Sequence, residues 1–110
     1  MSKIKVVFYE TAAKKVPYKE WADDLDSTTR AKISARVDRL EDGNFGEHKQ
    51  LKGHRGIYEL IIDYGPGYRI YYGKQRTVIV ILLLGGEKKS QKRDIEKAYR
   101  YWISHTEEKP

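Results

Sequence analysis

Arg69 stands in the middle of a stretch that alternates like a β-strand, between Tyr68 and Ile70, where a purely structural sequence favours an apolar or β-branched residue. A guanidinium there can grip a phosphate through two parallel hydrogen bonds. It can equally pair across the sheet with Glu59 of the preceding strand. The two roles are compatible, because a carboxylate can hold an arginine in place until a phosphate arrives. A second candidate region runs Gly85-Gly86-Glu87-Lys88-Lys89-Ser90-Gln91-Lys92-Arg93, where a glycine pair at a strand end leads into four cations and a helix start. Backbone N–H groups and the neighbouring cations there favour an anion; a solvated, lysine-rich turn is the alternative. Lys52, His54 and Arg55 form a third cluster. Cations on both sides of His54 favour its neutral form, which suits a base at neutral pH, although a loop histidine can simply face solvent.

Other chemistries find little support. His48 and His105 lack such a setting, and no two histidines have metal-ligand spacing. There is no phosphate-binding glycine loop, and neither serine nor carboxylate sits in a recognisable triad or dyad. No metal or other cofactor is therefore expected. The absence of cysteine excludes disulfide scaffolds, thiolate metal sites and thiol catalysis, and suits a reducing compartment. Four tyrosines, Tyr64, Tyr68, Tyr71 and Tyr72, could stack bases as aromatic side chains do on single-stranded RNA. Strand parity sends Tyr68 and Tyr72 into a core with Ile70, leaving Tyr71 beside Arg69 as the expected stacking surface.

The elements that must position these residues follow from the hydrophobic pattern. Ile4 to Tyr9 predicts a first strand. Pro17, then Tyr18, Trp21, Ala22 and Leu25 at helical spacing, predicts a short amphipathic helix. Ser27 or Thr28 can cap a second helix carrying Ile33, Val37 and Leu40, with Gly43 as its stop. Residues 44–56 lack periodicity and read as a loop or short edge piece. From Ile57 the period is two, with Tyr58, Leu60, Ile62 and Tyr64 on one face and Ile57, Glu59, Ile61 and Asp63 on the other. Gly65-Pro66-Gly67 turns the chain into the strand of Arg69, Gly73 to Arg76 turns it again, and Val78 to Leu84 is apolar on both faces, as a central strand must be. Gly85-Gly86 ends that strand. Ile95, Ala98, Tyr99, Trp102 and Ile103 then mark the stripe of a closing helix. The order β-α-α-β-β-β-α predicts an α+β fold, a mostly antiparallel sheet with helices packed mainly on one face and the other face partly open.

Composition agrees with one folded unit. A chain of 110 residues with 39% hydrophobic and 35% charged side chains can bury one core, so a single domain over 1–110 is expected. The formal charge is +6, and it is concentrated: residues 44–93 hold ten basic and four acidic side chains, whereas the flanking segments are nearly balanced. Such a field attracts polyanions, nucleic acid or an acidic protein segment. The first residues have no apolar signal core and the run Val78 to Leu84 is too short to span a bilayer, so a soluble, cytoplasmic protein without membrane partners is expected.

Leu51-Lys52-Gly53, Tyr58-Glu59-Leu60, Gly67-Tyr68-Arg69-Ile70-Tyr71-Tyr72, and Leu84 to Gln91 followed by Arg93-Asp94-Ile95 together resemble the RelE/ParE superfamily of toxins, specifically the HigB-like addiction module killer branch. The resemblance covers nearly the whole chain. It implies a RelE-like fold, a helix-turn-helix antitoxin as cognate partner, contact with operator DNA only through that antitoxin, and metal-independent cleavage of messenger RNA on the ribosome. In such enzymes the ribose 2′-hydroxyl attacks the adjacent phosphate while basic side chains stabilise the developing charge. Carried over by position, Arg69 matches the strand arginine that contacts the scissile phosphate, and Lys88 or Lys89 stands where a second cation follows the last strand. The family's strand lysines are replaced here by Glu59 and Ile61, and its late tyrosine by the Gln91 to Arg93 region. Proton transfer then falls to His54, Glu59 or Lys88, and RNA binding to Lys52, Arg55, Tyr71, Lys89, Gln91 and Arg93. The alternative implied by the same superfamily is a ParE-like inhibitor that binds DNA gyrase without catalysis.

Overall fold

The structure is a computed structural model describing residues 3–107, so the outermost ends of the expected domain lie outside the described residues. In chain order it contains β1 (Lys5–Phe8), α1 (Pro17–Asp23), α2 (Ser27–Asp38), β2 (His48–Gln50), β3 (Ile57–Ile62), β4 (Tyr68–Gln75), β5 (Ile79–Glu87) and α3 (Gln91–Glu107), with 3-10 turns at Arg39–Asp42 and Lys88–Ser90. The α+β class is as the pattern predicts. One sheet is ordered β1-β5-β4-β3-β2. The β1–β5 pair is parallel and the other three pairs are antiparallel.

Parity of the strands builds two cores. Leu60, Ile62, Tyr68, Ile70, Tyr72 and Leu82 point to the face covered by α1 and α2, where Tyr18, Ile33 and Leu40 meet them. Ile57, Tyr71, Ile81 and Leu83 point to the opposite face, where Ala98 and Trp102 of α3 cover them. Two of the three helices thus share a face, as expected, and the face expected to be partly open carries the third. The amphipathic stripe of α3 needs an apolar surface to bury against, and the second face of β5 and β4 supplies it.

Several local expectations change in detail. The cap of α2 is Asp26 rather than Ser27 or Thr28: its Oδ1 accepts from the Thr29 amide at 2.8 Å and its Oδ2 from the Thr29 hydroxyl at 2.9 Å. These bonds hold the Asp26 carboxyl below its ordinary pKa. Residues 48–50, by contrast, form the short edge piece that the pattern allows, all three exposed and paired with β3. The last turn is tighter than expected, because β4 continues to Gln75 before reversing around Arg76, which adopts a positive φ of 60°.

The largest difference lies in β5, which runs through the two glycines to Glu87 instead of ending before them. A register shift between Tyr71 and Tyr72 pairs Tyr72 with Leu82 but Tyr71 with Leu84, so Leu83 is an extra residue. Beyond this bulge Gly85 lies opposite Ile70 and Gly86 opposite Arg69. A Cβ on Gly85 would overlap the Trp21 ring of α1, and a Cβ on Gly86 would overlap the Asp94 carboxylate of α3. The glycine pair is therefore a close-approach device, one residue for the helices on each face, rather than a strand stop.

Candidate phosphate-binding site

Arg69 pairs with Ile61 of β3 and Gly86 of β5, which places it on the α3 face at the end of the sheet where α3 begins. Glu59 sits diagonally across from it, directly opposite Tyr71 on β4 and Lys49 on β2. The Glu59 side chain is fully buried and that of Arg69 is 12% exposed, with Nε 3.6 Å from Oε2. Arg69 Nη1 donates to its neighbour's carbonyl, that of Tyr68, at 3.1 Å. Gln91 at the start of α3 donates through Nε2 to Glu59 Oε2, and Lys49 Nζ lies 4.0 Å from Oε1. Arg69 Nε and Glu59 Oε1 are both buried without a hydrogen-bond partner. A carboxylate removed from water costs several kcal/mol unless compensated, on the order of the cost of losing one partner of a buried pair, so the cations around Glu59 are needed by the fold as well as by any ligand.

The arginine is not sealed. It lines a polar surface cavity of about 330 Å³ together with Lys88, the Gly65-Pro66-Gly67 turn, Asp63 and Glu47. Lys88 is exposed, and its amide donates to the Gly67 carbonyl at 2.9 Å, tying the 3-10 turn to the β3–β4 hairpin. A guanidinium and a flexible ammonium lining one cavity can neutralise a phosphate, with Asp63 and Glu47 as the acidic members of the same lining.

Of the residues expected to act together, the fold gathers Arg69, Glu59, Gln91 and Lys88. It sets the others apart in two further groups. Lys89, Arg93 and Lys92 ring a neighbouring cavity with Ser90 and Glu96. Two of these cations have acidic neighbours: Lys89 lies 3.6 Å from Glu87, and Arg93 Nε lies 3.8 Å from Asp94 Oδ1. Lys52 and Arg55 rim a third cavity, which Tyr99 of α3 also lines.

Two expectations are overturned. Tyr71 has no accessible surface and cannot stack a base; α3 covers it, and burial, with Glu59 and Asp94 nearby, pushes its hydroxyl far above the usual phenol range. For His54 the shift runs opposite to the one expected from its cationic neighbours. Its Nε2 lies 2.5 Å from Glu96 Oε2 and its Nδ1 3.2 Å from the Lys52 carbonyl, and the Glu96 bond raises its pKa. That favours the imidazolium, a cation and acid rather than a base.

Sequence reasoning passed over Lys49 and Asp94. Lys49 lies on an edge strand too short and polar to show periodicity. Asp94 accepts from the Ser90 hydroxyl at 2.6 Å, and their four-residue spacing at a helix start was the signal available for it. Among the described residues, no three His, Asp or Glu side chains gather closely enough to hold a metal ion. No helix among them is long and apolar enough to cross a membrane.

This architecture is that of the RelE fold: the structure matches the free state of an Escherichia coli RelE toxin mutant with a TM-score of 0.64, at 16% identity, over 94% of this chain and 99% of that one. By sequence, residues 20–103 match the family of phage-derived Gp49-like proteins, and the chain belongs to that family. An uncharacterized protein of Haemophilus influenzae is 46% identical over 82 residues, covering 74% of this chain and 81% of the relative.

Proposed function

We propose that this protein is the toxin of a type II toxin-antitoxin module, HigB-like in kind, acting as a single domain that cleaves messenger RNA at the ribosome without a metal. Arg69 and Lys88 meet the scissile phosphate. The ribose 2′-oxygen forms a bond to phosphorus as its proton leaves, the bond to the 5′-oxygen breaks, and that oxygen takes up a proton. Arg69 and Lys88 stabilise the charge that accumulates on the phosphoryl oxygens in between. Glu59 holds Arg69 ready; once the phosphate draws the guanidinium outward, its carboxylate is the acceptor beside the site, and the Lys88 ammonium is the donor. His54, whose pKa Glu96 raises and which is grouped elsewhere, binds RNA rather than acting as the base. Lys52, Arg55, Lys89 and Arg93 hold the RNA backbone, and Gln91 keeps Glu59 oriented.

The observation that carries this reading is the placement of Arg69: anchored by a buried carboxylate, yet opening onto a cavity shared with Lys88. The cognate partner is a helix-turn-helix antitoxin that meets the basic surface with acidic residues and alone contacts the operator DNA, and the site of action is the cytoplasm. Primer extension on cellular messenger RNA after induction tests the reading. New 5′ ends should appear with the native protein and vanish with Arg69→Ala. A supercoiling assay with purified protein addresses gyrase inhibition, which predicts loss of supercoiling and no new RNA ends.

A further inference from the structure

Tyr99 plays no part in the site described above, yet it lines a cavity near the basic surface of about 660 Å³, within the roughly 300–1,000 Å³ typical of small-molecule sites. The floor includes the buried Leu51, and the exposed Lys52 and Arg55 stand at the rim. Tyr99 meets His54 edge-to-face, with ring centroids 5.1 Å apart, and His54 is in turn fixed by Glu96. Glu96 is the acidic group facing this cluster from α3, and the His54 bond already occupies it. Glu96 also lines the cavity ringed by Lys89 and Arg93. A chain of contacts therefore links the cations at the start of α3, through Glu96 and His54, to Tyr99.

We infer that this cleft seats one nucleotide of single-stranded RNA, its base stacked on Tyr99 and its phosphate between Lys52 and Arg55. The inference rests on the nuclease reading and extends it, because the cleft is not the place of bond breakage. Gln91, beside Glu59, and Tyr99 are eight residues apart on α3, about 12 Å along its axis, so the seated nucleotide lies a short way along the strand from the scissile one. An aromatic wall with two cations at its rim is what a base and its phosphate require together. An acidic peptide would use the cations and leave the ring unused. The ring's orientation is set before binding by His54 and Glu96, so little side-chain freedom is lost when a base arrives.

Photocross-linking tests this with full-length protein and short 2′-O-methyl RNA oligonucleotides, which resist cleavage, each carrying one 5-iodouridine. The expected result is a cross-link mapped by mass spectrometry to Tyr99. In parallel, Tyr99→Leu should weaken RNA binding roughly 5- to 150-fold, the loss of one stacked base, while Tyr99→Phe binds like the native protein. Cross-links confined to the Arg69 cavity, with native affinity in Tyr99→Leu, would overturn the cleft and leave the nuclease reading standing. Polyglutamate binding that depends on Tyr99 when RNA binding does not would assign the cleft to an acidic protein partner instead. Native protein that binds no free RNA yet creates new 5′ ends in cells would overturn the cleft and leave the nuclease reading standing, and one that does neither would remove both. Cross-linking uses the unaltered chain, so it decides the matter even if Tyr99→Leu folds poorly.

Discussion

Arg69 Nε lies 3.6 Å from Glu59 Oε2, diagonally across β3 and β4, with the carboxylate fully buried and the guanidinium at the edge of a solvent-facing cavity. This pair serves the fold and the chemistry at once, and the two contributions can be separated. Removing the guanidinium leaves the buried carboxylate with only Gln91 and the more distant Lys49, so Arg69→Ala should lower stability by up to about 3–5 kcal/mol and lower the cleavage rate by about 2–4 kcal/mol of transition-state stabilisation. Adding Glu59→Gln removes the stranded charge. The double variant should regain most of the lost thermal stability and none of the activity, as read by calorimetry and primer extension.

Glu59→Gln alone separates holding from proton transfer. If Glu59 only orients Arg69, the amide still accepts a hydrogen bond and cleavage falls modestly. If it takes the 2′-hydroxyl proton, single-turnover cleavage should fall by about 10²- to 10⁴-fold, the range of general acid–base catalysis, with little change in RNA affinity.

The bond between His54 and Glu96 raises the pKa of the imidazole. A raised folded-state pKa means that the pair's contribution to stability is complete below the unfolded value, near 6.5, and disappears as pH climbs through the folded value. An NMR titration should place the His54 midpoint above that of an ordinary histidine. Glu96→Gln should bring it down, and a midpoint unmoved by that change would mean the pair does not persist in solution.

The two glycines of β5 should tolerate no side chain. Gly85→Ala presses on Trp21 and Gly86→Ala on Asp94, each costing about 1–3 kcal/mol as overpacking. Thermal melts would show this, and shrinking the opposing residue, as in Trp21→Phe with Gly85→Ala, should recover part of the loss.

Charges that only hold the RNA backbone should act through salt. Lys52→Ala, Arg55→Ala, Lys89→Ala or Arg93→Ala should each weaken binding across all sequences and reduce the slope of log affinity against log salt concentration by about one. A change in cleavage position without a change in slope would instead mark that residue as a reader of bases.

Much of this was legible along the chain, because period and turn chemistry are local. The alternation from Ile57 to Tyr72 assigns the correct face to each of Tyr58, Leu60, Ile62, Tyr68, Ile70 and Tyr72, and it puts Arg69 and Glu59 on one side, where they meet. The apolar run of β5, buried on both faces, and the stripe of α3 were readable for the same reason. What covers each face was not, because that depends on where the chain returns. The return of α3 across the second face buries Tyr71 and brings Glu96 to His54, 42 residues away, raising the pKa of the imidazole that its cationic sequence neighbours were expected to lower. The bulge at Leu83 has no signature of its own, yet it turns the parity of β5 so that Gly86, with no side chain to intrude, lies opposite Arg69. Sequence determined which side chains share a strand face or a helix stripe; only the packed chain decided which of them remain open to a ligand, since burial and charge are set by neighbours distant along the chain.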